Sequence, residues 1–279
     1  MADVAPVRFL ALRFALGAFL LLALALRTWR RPAGGLRDRR TWRHGAILGL
    51  VLYVSYLTQT VALVWISPAT SAFLTAVSVV LVPVLGWLGF RDRVSLWTWA
   101  GVTLAFAGLV ALSLRGSLRF GLGECVTLVT AMGFACHIVL TGFFARQSET
   151  LALTAAQVSV LATLSLLTLP LDRWLATHGA TGAPASGLLA PLPVHAWAAV
   201  ATMGVFASAA TFLLQTYAQR RVPSTRVGVL FTLEPVFATL FSFALLGERP
   251  GPRAALGMVL ILAGMLTVET LGRRPAGTA

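Results

Sequence analysis

The feature that most constrains this chain is a succession of apolar runs, each about as long as a bilayer is thick. A helix crosses the hydrocarbon core with about 20 apolar residues. Runs of that kind fall at 8–29, 43–65, 69–90, 95–114, 120–145, 151–172, 194–218, 223–247 and 252–271. Within lipid each backbone N–H and C=O must find its partner inside the segment, and a helix does this for every residue it contains. The expected fold is therefore all-α, a polytopic membrane helix bundle of about nine transmembrane helices. The first run ends in arginines and has no polar mature sequence after it, so it reads as a retained helix rather than a signal peptide.

Composition agrees: 58% of the residues are hydrophobic and 11% charged, whereas a soluble domain carries about a quarter charged residues. All the basic residues are arginine, and the net charge is +13. A basic chain can bind nucleic acid, but here the arginines cluster in short connections between apolar runs, which is the pattern of a topology signal. No nucleic-acid partner is expected. The 30–43 connection carries Arg30, Arg31, Arg37, Arg39, Arg40 and Arg43. Alternate connections carry Arg91 and Arg93, then Arg146, then Arg220, Arg221 and Arg226, then Arg273 and Arg274. The opposite set holds only Arg115, Arg119, Arg173, Arg249 and Arg253. Positive charge is retained in the cytoplasm, so the C-terminus is expected inside and, with nine helices, the N-terminus outside.

Soluble-type chemistry is sparse. Cys125 and Cys136 share one apolar run, and on a helix they stand about 16 Å apart, too far for a disulfide, which needs Cα atoms within about 7 Å. The sequence has no Gly-Lys-Ser/Thr phosphate loop, no His pair at metal-binding helical spacing and no Gly-x-Ser-x-Gly elbow. Neither enzymatic activity nor a cofactor or metal is expected.

Shifting the sequence against itself by 156 positions aligns 55–108 with 211–264 without a gap. Gln59-Thr60 then falls on Gln215-Thr216, Arg93 on Arg249, Gly101 on Gly257 and Gly108 on Gly264. Five spans separate the copies, and an odd number means that they cross the membrane in opposite directions. Inverted repeats are common in secondary transporters, whose substrate sites lie near the bilayer midplane.

Ionisable groups at membrane depth are costly and mark function by default. Glu234 is the acidic residue nearest the middle of a span, and Pro235 beside it has no N–H for the carbonyl of Phe231. A kink there would place a free carbonyl next to a carboxyl, a pairing suited to a cation, an amine or a proton. Pro83 is a second helix-kink candidate. His137 lies mid-span, and Gln59 and Gln215 occupy repeat-related positions where an amide can both donate and accept. Tyr56 and Ser71 complete the principal transport candidates, with Tyr53, Thr75, Gln157 and Thr211 as weaker ones. Each of these residues can instead serve packing, the acid protonated or hydrogen-bonded and the amides as interhelical bonds. Trp65, Trp97 and Trp99 lie at span ends as interfacial anchors. Gly45 with Gly49, and Gly204 with Ser208, have the spacing that lets helices approach closely.

These motifs resemble the EamA-type proteins of the drug/metabolite transporter superfamily. The matching stretches are Thr70-Ser71-Ala72-Phe73-Leu74-Thr75 through Val82-Pro83, Leu96 to Gly108, Leu233-Glu234-Pro235-Val236-Phe237, Leu246-Gly247-Glu248-Arg249, and Gly257 through Gly264. Leu12-Arg13-Phe14 with Gly17 looks like the family's second helix. The resemblance implies two repeats, 8–114 with four helices and 120–271 with five, the family's opening helix being the one absent; a start codon placed too late would explain this. It further implies a secondary transporter in the bacterial inner membrane that moves a small-molecule substrate by alternating access, and the residues read above place the expected midplane site at Glu234 and the paired glutamines. The expected direction is export, of metabolites, amino acids or drugs. Proton or ion coupling and a homodimer stay open as partners. The alternative is a lipid-linked carrier flippase or an accessory membrane subunit without transport of its own.

Overall fold

The computed structural model describes residues 5–26, 35–90, 94–113, 121–172, 174, 192–246 and 251–272. Among them the only regular elements are helices: α1 Pro6–Leu26, α2 Arg39–Ala62, α3 Pro68–Thr75, α4 Ser78–Phe90, α5 Leu96–Ser113, α6 Leu122–Phe144, α7 Thr150–Leu167, α8 Val194–Thr202, a π-helical segment Met203–Ala210, α9 Thr211–Gln219, α10 Ser224–Leu230, α11 Leu233–Leu246 and α12 Pro252–Thr270. Seven helical spans among these residues are long and apolar enough to cross a membrane, and Leu96–Ala111 is a shorter apolar helix. Arg30, Arg31, Arg91, Arg93, Arg115, Arg119, Arg173, Arg249, Arg273 and Arg274, which enter the orientation argument, lie outside the described residues.

The chain forms two compact units, each drawing on both halves of the sequence. Met1–Ile66 and Leu140–Arg221 make the first, Ser67–Val139 and Val222–Ala279 the second.

In the first unit α7 packs against α1 and α2, and the π-helical segment packs against α1. The helices begin where their orphan amides are satisfied. Asp38 caps α2 by accepting from the amide of Arg40, and Glu149 caps α7 by accepting from Leu151 and Ala152. The first turn of α1 is held from far along the chain, for the buried Asp172 carboxylate accepts from the amides of Val7 and Arg8, each at 2.9 Å. Lipid offers no hydrophobic drive for helices to associate, so close backbone approach must supply it. Gly49 provides that approach for α2 on α7, since a Cβ there would lie 2.5 Å from the carbonyl oxygen of Gln157. Gly204 does the same on α1, where a Cβ would lie 3.1 Å from the Arg13 carbonyl oxygen, and Ser208 Cβ lies where Gly17 has none. Both small-residue pairs read from the sequence are thus helix contacts. The buried Gln157 adds a polar tie, its Nε2 donating to Thr216 Oγ1 at 3.3 Å.

In the second unit α5 and α12 form the most extensive contact. A Cβ on Gly101 would lie 2.6 Å from the carbonyl oxygen of Gly264, and one on Gly108 the same distance from that of Gly257. Gly101 and Gly257 are repeat counterparts, as are Gly108 and Gly264, so each glycine meets the counterpart of the other. Such reciprocal pairing is what a two-fold axis between the helices produces. It also makes the helices antiparallel, because the earlier glycine of α5 meets the later one of α12. Val102, Leu109, Ile261 and Val268 are buried along the same seam.

Two spans differ from their expected form. The runs 69–90 and 223–247 were each expected as one helix, but the regular α-helix is interrupted at Ala76–Val77 and again at Phe231–Thr232. In the register of the repeat the two breaks fall one residue apart. Pro235 accounts for the second: lacking an N–H for Phe231, it is tolerated in the first turn of a new helix but not in the interior of a continuous one. Nothing in the structure explains the first break; Pro83 lies further on, inside α4.

Candidate functional site

The structure divides the candidate residues between the two units. Tyr56, Gln59 and Gln215 belong to the first, and Ser71, His137 and Glu234 to the second.

In the first unit the candidates surround an aromatic cluster that helical spacing alone did not reveal. The buried Phe14 of α1 has the Tyr56 ring of α2 at 5.1 Å and the Phe212 ring of α9 at 6.4 Å. Tyr56 and Phe212 are separated by the 156 positions of the repeat, so one ring of α1 is flanked by two repeat-related aromatics. Gln59 and Gln215 follow these rings by three residues each, which keeps them on the same helix faces. Gln215 is buried and donates its Nε2 to Gln219 Oε1 at 3.1 Å, while Gln59 is half-buried. The weaker candidate Gln157 is engaged with Thr216, and Thr211 donates its hydroxyl to the carbonyl of Phe206, five residues back in the π-helical segment.

Arg13, quoted above only as part of a motif, belongs to this cluster. Its Cζ lies 4.4 Å from the Phe14 ring centroid and 5.0 Å from that of Tyr56. It is the eighth residue of α1, about 5 Å from the helix midpoint at 1.5 Å per residue. Among the described residues its buried Nε has no hydrogen-bond acceptor, and no carboxylate is paired with it. Arg8, five residues earlier, has the Asp172 carboxyl beside it, accepting its backbone amide. An arginine at mid-span costs about 2.5–3.5 kcal/mol, and cation–π contacts return about 0.5–1 kcal/mol each where partly exposed. Two rings therefore leave the charge under-compensated. The rule that singled out Glu234 and His137, a titratable group inside an apolar run, would have found Arg13 as well.

In the second unit Ser71 is buried on α3, its Oγ without a hydrogen-bond partner among the described residues. His137 is buried on α6. Glu234 stands in the first turn of α11, exposed, and not in mid-helix beside an open carbonyl as expected. The Phe231 carbonyl accepts the backbone N–H of Glu234 at 3.1 Å. The restart of the helix thus fills the acceptor that Pro235 leaves, and it sets the carboxyl at a helix N-terminus, where negative charge is favoured. Among the described residues no group of three His, Cys, Asp or Glu could hold a metal ion. Cys125 and Cys136 are both free thiols.

Apolar spanning helices, glycine seams between them and polar side chains at membrane depth define a multi-pass, all-helical membrane protein. The chain belongs to the EamA-like transporter family, whose model matches residues 1–114 and 121–270. It is 28% identical over 228 residues to an "Uncharacterized transporter" of Archaeoglobus fulgidus, spanning 82% of this chain and 69% of that protein. A second "Uncharacterized transporter" of the same organism is 26% identical over 277 residues, 95% of this chain and 88% of the relative. A "Probable terminal-alkyne amino-acid exporter" of Streptantibioticus cattleyicolor is 26% identical over 219 residues, 76% of this chain and 68% of the relative. A solved crystal structure superimposes with a TM-score of 0.78 at 24% sequence identity, covering 98% of this chain and 90% of that one, and has the same fold.

Proposed function

We propose that the chain is a secondary transporter of the bacterial inner membrane, C-terminus in the cytoplasm, that exports small metabolites, amino acids or drugs by alternating access. The observation that carries this reading is the reciprocal glycine seam of α5 and α12. Repeat-related helices that meet antiparallel about a two-fold axis fit inverted repeats, and inverted repeats let one sequence pattern serve both faces of the membrane. The relative named as an amino-acid exporter supports amino acids within that substrate range.

Glu234 is assigned to ion coupling, since a carboxyl at the start of a half-helix can take up and release a proton at modest cost. Gln59 and Gln215 are assigned to polar groups of the substrate, with Tyr56 beside them; Ser71 and His137 are further transport residues.

The test is flux into proteoliposomes holding the full chain, with a panel of radiolabelled amino acids and an imposed pH gradient. The expected result is gradient-driven uptake by the unaltered protein and loss of its pH dependence in Glu234→Gln, with counterflow retained. Unchanged gradient-driven flux in the variant would overturn the coupling role. Absence of uptake across the panel would overturn amino-acid transport.

A further inference from the structure

We infer that Arg13 is an anion seat in the first unit and that the solute it takes carries a carboxylate. The inference rests on the transport reading only for the word solute; the site itself stands on geometry. A guanidinium lying over aromatic rings is held by its face, and its in-plane N–H groups are what remain to bond. On Arg13 those groups include a buried Nε with no acceptor among the described residues. Buried polar groups are nearly always satisfied, so an unsatisfied donor on a cation calls for a ligand. The planar fork matches a carboxylate with two parallel hydrogen bonds.

Two neighbouring features support the assignment. The π-helical segment presses on the same turn of α1, with Gly204 against the Arg13 carbonyl, and π-helical turns gather at functional sites. On that segment Ser208 is fully buried with its Oγ unpartnered among the described residues. The rings of Phe14, Tyr56 and Phe212 supply apolar surface for the rest of such a molecule. A small organic acid with an apolar body fits this chemistry. A lipid phosphate would offer the same anion, and the experiment separates the two sources.

The test is thermal unfolding of the purified full chain in maltoside micelles, which contain no phosphate. Acetate, phenylacetate and leucine are titrated against acetamide, phenylacetamide and leucinamide, with phosphatidylglycerol as a separate arm. The expected result is a saturable rise in melting temperature with at least one acid and with none of the amides. Half-saturation should move to at least about tenfold higher concentration in Arg13→Gln, the loss of one charge-assisted contact, and less far in Arg13→Lys. If Arg13→Gln does not fold, the acid–amide comparison on the unaltered chain decides. Equal response to acids and amides, no response to any acid, or a response to phosphatidylglycerol alone would overturn the assignment. Carboxylate binding without flux in vesicles would overturn the transport reading and leave this one; flux without carboxylate binding would do the reverse.

Discussion

Replacing Gly264 by alanine tests whether the α5–α12 seam depends on backbone approach. The new Cβ would lie 2.5 Å from the carbonyl oxygen of Gly101 and 2.6 Å from the backbone nitrogen of Ala105, where ordinary contact begins at 3.4 Å. Both obstructing atoms are backbone within a helix, so no side chain can turn aside. The helices must part by about 0.9 Å, and a gap of about 0.5–1 Å forfeits a quarter to a half of each dispersion contact it opens. Overpacking costs about 1–3 kcal/mol, here near the upper end, and alanine returns about 1 kcal/mol of helix propensity. The net loss is about 2 kcal/mol, a fall in melting temperature of about 4–8 °C at 2–4 °C per kcal/mol. The assay is thermal unfolding in micelles, read by a thiol-reactive fluorophore on Cys136 in a Cys125→Ser background. Gly89→Ala is the control, because a Cβ there meets nothing within 4 Å, and it should be neutral or stabilising. Gly101→Ala opens the same gap from the other side, so the Gly101→Ala/Gly264→Ala double variant should lose less than the sum of the two. A Gly264→Ala protein as stable as the Gly89→Ala control, or fully additive losses, would refute the seam.

Two further predictions concern the first unit. Asp172→Ala removes the acceptor of two buried amides, which should cost about 3 kcal/mol; an unchanged melting temperature would show that α1 needs no such clamp. In a double-mutant cycle, Gln157→Leu and Thr216→Val should couple by about 0.6–1 kcal/mol through their interhelical bond, and a coupling near zero would remove it from the packing.

The spanning helices and the close approaches at Gly45, Gly49, Gly204 and Ser208 were legible in the sequence because lipid imposes length, apolarity and small interfacial residues. That Gly101 and Gly108 meet Gly264 and Gly257 was not, since the repeat matches those residues without saying that they touch. The breaks in two spans were not legible either. Ala76–Val77 and Phe231–Thr232 offer no glycine and no proline at the break itself, and hydropathy does not register a local change in the helical hydrogen-bond pattern. Pro235 gave a true signal that was misplaced: it marked a helix start, which moved Glu234 from mid-helix to a first turn. The repeat pointed to Gln59 and Gln215, yet the ring that joins their neighbourhoods, Phe14, has no periodic signature. The clamp of Asp172 on α1 joins residues 165 positions apart, a contact that no local pattern encodes.

The π-helical turn at Met203–Ala210 bears on how the two halves correspond. A π turn bonds five residues back and so takes up one residue more than the α turn it replaces. After it, counterparts such as Gln59 and Gln215 are 156 positions apart; before it, Trp42 and Trp197 are 155 apart, and so are Gly49 and Gly204, the second residue of the segment. The second half is therefore one residue longer here, and the helix holds that residue as a local widening. The widening leaves Gly204 matched to Gly49 on one side and Gln215 matched to Gln59 on the other, so a difference in chain length is absorbed without rotating either residue off its face.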